Sequence, residues 1–286
     1  MRKLGNRVAI VTGASRGLGP YMARALAAEN MRLVLSARSL PELEARAAEI
    51  REAGGQAIAV QGDVTSAADR QRLVDAARAE FGRIDVLVNN AGIELTAHFE
   101  HQPEDEIARV IEVNLTSAML LTRLVTPIML ERKAGHVVNV ASLAGKVAVP
   151  YSIPYAASKA GMIGFTESFR AEFRKRGLSA SVVCPTFVDE AGMYQDMQDQ
   201  AGVKANFLTG VVTPKKVASD VVKAIKRDRP EMLVYRGPGR LVTGFAELAP
   251  GLFERIYPLF QANKVFNQLA DLREKELAPE TAERKP

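Results

Sequence analysis

The run Arg7-Val-Ala-Ile-Val-Thr12 is short, apolar and β-branched. It breaks directly into Gly13, Gly17 and Gly19, and helical periodicity follows at Met22, Ala23, Leu26 and Ala27. Few folds accommodate that order. A buried strand that ends in a glycine turn and feeds straight into a helix leaves free amides facing the space beyond the strand, at the positive end of the helix dipole. The glycines have separate tasks: Gly13 permits the sharp exit, Gly17 removes a side chain where a pyrophosphate approaches, and Gly19 lets helix and strand pack closely. Ser15, Arg16 and Leu18 complete this candidate phosphate loop, and Pro20 suits a first helical turn, where its missing N–H costs nothing.

A second apolar run, Arg32 to Ala37, ends where such a unit discriminates between cofactors. An NAD-binding chain carries Asp or Glu there to accept from the ribose 2′-hydroxyl. Here the sequence reads Ser36-Ala37-Arg38-Ser39, and the next acid is Glu42. A carboxylate repels a 2′-phosphate, whereas arginine binds one in bidentate fashion. Arg38, with Arg16, therefore predicts NADP(H) over NAD(H); the bland alternative is that both arginines simply face water.

The pattern then repeats. Helical spacing covers 41–53 and is ended by Gly54-Gly55, and a strand fits 56–61 before Gly62-Asp63-Val64-Thr65. A helix at 67–81 stops at Gly82, and a strand at 84–88 runs into Asn89-Asn90-Ala91-Gly92, where small residues let a cofactor lie close to the backbone. A long helix is predicted over 103–130, its apolar side interrupted by Asn114. Strands at 136–141, 179–184 and 232–235 alternate with helices from near Pro154 to Arg176 and from Pro214 to Arg227. Alternation of this kind predicts an α/β fold: a doubly wound, Rossmann-type parallel sheet of about seven strands, with ligands at the carboxyl ends of the strands.

Ser142 falls at the end of the fifth strand, and Tyr155 and Lys159 stand four apart in the next helix, on one face. An ammonium beside a phenol favours the phenolate, so the pair can do acid–base chemistry, although an isolated Tyr-x-x-x-Lys is ordinarily a surface pair. A lone buried Asn such as Asn114 is likewise ordinarily a satisfied core residue. Net charge is +5 with the basic residues interspersed among acids, which argues against nucleic acid. One cysteine, Cys184, excludes an internal disulfide framework and reads as packing. His98, His101 and His136 show no metal-ligand spacing, so no metal is expected. No secretory signal and no run of 18 apolar residues is present, and a cytoplasmic location is expected.

Taken together, Thr12-Gly-x-x-x-Gly17-x-Gly19, Asp63-Val64, Asn89-Asn90-Ala91-Gly92, Asn114, Ser142, Tyr155-x-x-x-Lys159 and Cys184-Pro185 resemble the short-chain dehydrogenase/reductase family. The motifs stand in the family's order over about the first two-thirds of the chain. The resemblance implies catalysis by Asn114, Ser142, Tyr155 and Lys159. Tyr155 would be the general acid in carbonyl reduction, and Lys159 would depress its pKa and hold the nicotinamide ribose. Ser142 would stabilise the carbonyl oxygen, and Asn114 would anchor a water. It also implies cofactor contacts from Asp63 and Val64 near the adenine, from Asn90, Ala91 and Gly92 along the cleft, and from Pro185 and Val188 at the nicotinamide end.

The chain departs from the family after the sixth strand, where Thr186 replaces the usual glycine and Glu190 the usual threonine. Ionised Glu190 can accept from a carboxamide NH₂ but cannot donate to its oxygen, which leaves the backbone of Val188 for that purpose. Residues 189–208, with Met193, Tyr194, Met197, Phe207 and Leu208, read as a lid. With Leu143, Val147, Val149, Pro150, Tyr151 and Ile153 they predict a pocket for an apolar ketone or aldehyde. Residues 1–237 form the expected catalytic domain, 238–278 a helical extension of it, and 279–286 a disordered tail. The extension reads as cleft cover, subunit interface or membrane-surface helix, with cover or interface favoured. A homo-oligomer, dimer or tetramer, is expected. The expected reaction is NADP(H)-dependent reduction of a carbonyl substrate to an alcohol. The alternatives are alcohol oxidation by the same residues, or a weakly active cofactor-binding or membrane-associated protein; a sugar-nucleotide epimerase is disfavoured because no second substrate domain is present.

Overall fold

The computed structural model describes residues 3–202, 210–237, 239–256 and 263–277. In chain order the elements are β1 (Val8–Thr12), α1 (Leu18–Ala27), β2 (Arg32–Ala37), α2 (Leu40–Glu52), β3 (Gln56–Gln61), α3 (Ala67–Phe81) and β4 (Val86–Asn89). Then follow α4 (Glu104–Ile111), α5 (Ser117–Glu131), β5 (Gly135–Val140), α6 (Ile153–Phe173), β6 (Leu178–Pro185), α7 (Met193–Ala201), α8 (Pro214–Arg227) and β7 (Glu231–Val234). The extension supplies α9 (Gly239–Leu248), α10 (Pro250–Ile256) and α11 (Asn263–Leu277).

The seven strands form one parallel sheet in the order β3-β2-β1-β4-β5-β6-β7. Alternation along β1 explains both layers. Ala9 and Val11 face a core shared with Met22 and Leu26 of α1, Leu43 and Ile50 of α2, and Val217 and Val221 of α8. Val8 and Ile10 face the opposite core, with Leu73 and Val74 of α3, Leu121 and Val125 of α5, and Phe169 of α6. Each fully buried aliphatic side chain stabilises the fold by roughly 1.5–3 kcal/mol. Because both faces are covered, the strands are apolar throughout and show no polar alternation.

Two features differ from the sequence reading. The helix expected over 103–130 is not continuous: α4 and α5 are joined by a π-helical turn, Glu112–Thr116, with Asn114 buried inside it. A π-turn inserts one extra residue and marks functional positions more often than chance, but it leaves no signature in hydrophobic spacing. By length and composition Glu104–Glu131 could cross a membrane, yet half of its most apolar window is buried in the fold, and Leu121, Val125 and Met129 of α5 belong to the sheet's core. The other difference concerns histidine. His98 Nε2 lies 2.9 Å from Asp271 Oδ1, and His101 Nδ1 lies 3.1 Å from Glu274 Oε1. His98, Asp271 and Glu274 place one ligand atom each within 4.8 Å of one another, an arrangement invisible in sequence because α11 is more than a hundred residues away. Residues 1–2, Phe207, Leu208, Tyr257, Pro258, Leu259, Phe260 and the tail after Ala278 lie outside the described residues.

His136 of β5 is buried against Ser181 of β6, with Nε2 2.8 Å from the hydroxyl. Burial pushes its imidazole from 6.5 down to about 3. The unfolded chain therefore binds a proton there that the folded chain refuses. The stability supplied by the neutral ring is complete above pH 6.5 and is lost as the pH falls from 6.5 toward 3. Urea midpoints at about pH 8 and about pH 5 should reveal an acid-side loss of about 2 kcal/mol that His136→Gln removes.

Candidate active site

The carboxyl ends of the strands open on a cleft of about 900 Å³. Every residue expected at the site lines it except Gly19 and Asn114. Gly19 is instead a packing position: a Cβ there would lie 2.1 Å from the Gly13 carbonyl oxygen. Gly13, at φ +63°, approaches Ala91 so closely that its own Cβ would meet Ala91 Cα at 2.9 Å. Asn90 Nδ2 donates to the carbonyls of Thr12 and Gly13, and Thr12 Oγ1 accepts from the amides of Asn90 and Ala91. The ends of β1 and β4 are thereby tied together at the point where the strand order reverses, the usual ligand crevice of an open α/β sheet.

Asn114 sits behind the cleft wall. Its Oδ1 accepts from the Ile93 amide at 2.8 Å, and its Nδ2 donates to the Ile93 carbonyl at 2.9 Å and to Ser158 Oγ at 3.0 Å. It joins the segment after β4 to α6. A Cβ on Gly92 would lie 3.2 Å from Asn114 Oδ1 and 3.5 Å from Lys159 Nζ, so glycine there lets the wall close on the lysine. Lys159 is buried, donates to the Val140 carbonyl at 3.0 Å and lies 5.4 Å from the Tyr155 ring centroid. Burial draws its ammonium down to about 8, against the pull of the Glu94 carboxylate.

Tyr155 corrects an expectation. Removal from bulk water raises its phenol pKa, the nearby Glu94 carboxylate raises it further, and a hydrogen bond with Ser142 opposes both. Lys159 lies over the ring face and donates to a main-chain carbonyl, so it does not hold the phenol below its ordinary value here. Ser142 is anchored by the Ala144 amide, which donates to its Oγ at 3.1 Å. Cys184 is buried and free, and burial pushes its thiol up to about 12. Glu190 is exposed, adopts a left-handed backbone at φ +65°, and does not line the cleft; Val188, which does, is buried.

Met197 of α7 packs with Phe266 and Leu269 of α11 and with Val149, Tyr151 and Phe187. Phe187 stands 4.8 Å from Tyr194 and 5.7 Å from Phe266 between ring centroids. Phe253 of α10 and Phe266 of α11 both line the cleft. One position in the cleft was missed in the sequence: Glu94 lines it and is electrostatically coupled to Tyr155 and Lys159. The signal was present, since an acid two residues beyond Asn89-Asn90-Ala91-Gly92 necessarily falls at the carboxyl end of a central strand.

The residues present fit NADP(H). The first turn of α1 has Gly17 at its N-cap and no side-chain cap, so its amides are free for a diphosphate, and Gly17 and Leu18 line the cleft. Arg38 directly follows β2 and, like Arg16, lines the cleft, with no acid in the NAD-specifying position. Arg16 Nη1 is 3.2 Å from Asp196 Oδ2 of α7, a solvent-exposed pair of little intrinsic strength. Thr65 donates twice to Asp63 Oδ1; although burial raises this carboxyl, those bonds hold it below its usual range.

The sequence profile of the short chain dehydrogenase family matches residues 7–228. The chain belongs to that family. Within it, the chain is 42% identical over 265 residues to ketoacyl reductase HetN from Nostoc sp., covering 91% of both proteins. It is 42% identical over 189 residues to a 3-oxoacyl-(acyl-carrier-protein) reductase from Synechocystis sp., covering 66% of this chain and 76% of the other. A crystal structure of a point variant of actinorhodin polyketide ketoreductase with NADPH superimposes with a TM-score of 0.77 at 32% identity, covering 83% of this chain and 98% of that one. This short-chain dehydrogenase is an NADP(H)-dependent oxidoreductase of the ketoreductase type, reducing a carbonyl to an alcohol. Gly19→Ala should push α1 off β1 and weaken NADPH binding by more than about tenfold, read by the change in nicotinamide fluorescence on titration.

Proposed function

We propose that the chain reduces an apolar ketone, held with its oxygen between Ser142 and Tyr155, and that Tyr155 gives that oxygen its proton. The observation that carries this reading is the convergence of Ser142, Tyr155 and Lys159 on one cleft with the uncapped amides of α1. NADPH, when bound, supplies the hydride. Ser142 positions the carbonyl oxygen and stabilises the charge that grows there. Tyr155 keeps its proton until that charge develops, because burial and Glu94 hold the phenol above its ordinary pKa. Lys159, poised near 8, stands next to Tyr155 to restore the proton, and Asn114 fixes the wall against which both act.

The substrate is an apolar ketone, of which a ketoacyl group is one example. The apolar roof of Phe187, Met193, Tyr194, Met197, Phe253 and Phe266 supports this, as do the names of the curated relatives. The extension serves as cleft cover in this reading. Leu241, Leu248 and Leu252 remain exposed on α9 and α10 and support contact with a second copy of the chain. Arg38 and Arg16 hold the cofactor's 2′-phosphate.

A panel of ketones assayed with NADPH and NADH side by side tests the reading; turnover confined to small charged carbonyls would overturn it. Tyr155→Phe should lower kcat by at least about a hundredfold while NADPH still binds. Arg38→Glu should reverse cofactor preference through a rise in KM for NADPH, with NADH affected far less; equal effects on both cofactors would remove Arg38 from the phosphate site.

A further inference from the structure

Glu94 is an acid of the cleft whose part in the reduction, as described so far, is its effect on the Tyr155 phenol and not a contact with substrate. It follows β4 by a few residues and shares the cleft wall with Val149, Tyr155 and Lys159. Its Oε1 accepts from Ser152 Oγ at 2.6 Å. Ser152 is itself fully buried, at the entry to α6, with Thr96 Oγ1 3.5 Å from its hydroxyl. The carboxyl is thus held in a fixed orientation by one oxygen. Among the described residues no donor reaches Oε2, and no lysine, arginine or histidine forms an ion pair with Glu94. Glu94 is half-buried and lines the cleft, so this second oxygen faces the cleft and is open to a donor carried by a ligand.

We propose that Glu94 is a specificity-determining residue: its free oxygen accepts a hydrogen bond from a hydroxyl or N–H group carried by the substrate within a few bonds of the reacting carbonyl, and its charge turns away substrates with a carboxylate in that place. The inference rests on the carbonyl-reducing reading above and narrows its substrate class from apolar ketones to apolar ketones bearing a neighbouring donor. The groups that act on Glu94 are compatible with this task. Burial raises its carboxyl to about 7, and Ser152 and the Lys159 ammonium oppose the rise, so a substantial share is anionic at neutral pH. Lys159 and Tyr155, both from α6, are the titratable neighbours coupled to it. Anionic Glu94 also keeps the Tyr155 proton in place, so substrate selection and proton delivery share one field.

The test compares 4-hydroxy-2-butanone with 4-methoxy-2-butanone, which have the same skeleton with the donor blocked in the second, and adds 4-oxopentanoate as the carboxylate probe. Wild type, Glu94→Gln and Glu94→Leu are assayed with NADPH. Wild type should favour the hydroxy over the methoxy ketone by about tenfold in kcat/KM, mainly through KM. Glu94→Gln, which keeps an acceptor oxygen, should retain part of that preference, and Glu94→Leu should bring the ratio close to one. Both variants should gain on 4-oxopentanoate. Loss on one probe with gain on another is not what general damage to the fold produces, and thermal melts of the variants check folding directly. Saturation-transfer NMR of the two ketones on protein held with NADP⁺, which cannot reduce them, reads the contact without turnover. If no ketone is reduced, the carbonyl-reducing reading fails while the NMR still decides the Glu94 contact. Equal hydroxy and methoxy signals on the wild type, or an unchanged ratio in Glu94→Leu, would overturn the proposal.

Discussion

The seam between β1 and β4 is the constraint on which the rest of this molecule depends. Thr12 Oγ1 takes the amides of Asn90 and Ala91, and Asn90 Nδ2 returns two bonds to the carbonyls of Thr12 and Gly13. Both chain segments leave the sheet there in opposite directions, which opens a crevice with backbone on both sides. Gly13 permits the approach because any side chain would strike Ala91. With the seam in place, the free amides of α1 face one half of the cleft and the Gly92–Glu94 segment faces the other. The seam is made of short polar side chains bonded to main chain, so it tolerates little displacement.

From that seam the geometry of the cleft wall propagates through Asn114. The π-turn puts its amide side chain between the Ile93 main chain and Ser158, so the wall after β4 is tied to the helix carrying Tyr155 and Lys159. Ser158 in turn donates to the Tyr155 carbonyl. The electrostatics follow from the same packing. Lys159 is drawn down and Tyr155 raised because both are removed from bulk water, and Glu94 acts on each in the direction its charge requires. The cation–phenol couple of Lys159 and Tyr155 is therefore electrostatically a group of three, with the acid contributed by the segment after β4.

The roof has a different character. It is apolar and assembled from α7, α10 and α11; Met197, Phe266 and Leu269 pack on Val149, Tyr151 and Phe187, and the pairs Arg16 with Asp196, His98 with Asp271, His101 with Glu274 and Arg273 with Glu106 add polar ties. The solvent-exposed pair among them, Arg16 with Asp196, adds little to the attachment.

Much of this was legible in the chain itself. The β-branched runs, the glycine loop after Thr12, the arginine in place of an acid after β2, and the Ser142–Tyr155–Lys159 order all follow from local periodicity and residue chemistry, and the sheet was built where they indicated. The strand ends shifted by one or two residues because hydrogen-bonded ladders, which end spacing alone does not define, decide them. What the sequence could not decide depended on contacts between distant segments. The π-turn at Asn114 hides in an unbroken helical pattern. The position of Glu190 turned on a left-handed backbone that sends the residue outward. His98 gained partners only because α11 folds back over the segment after β4. The acidity of Tyr155 was misjudged for the same reason: spacing along one helix reveals Lys159, but burial and the carboxylate of Glu94 arrive from the tertiary fold, and at the bottom of a cleft those outweigh a neighbour on the same helix face.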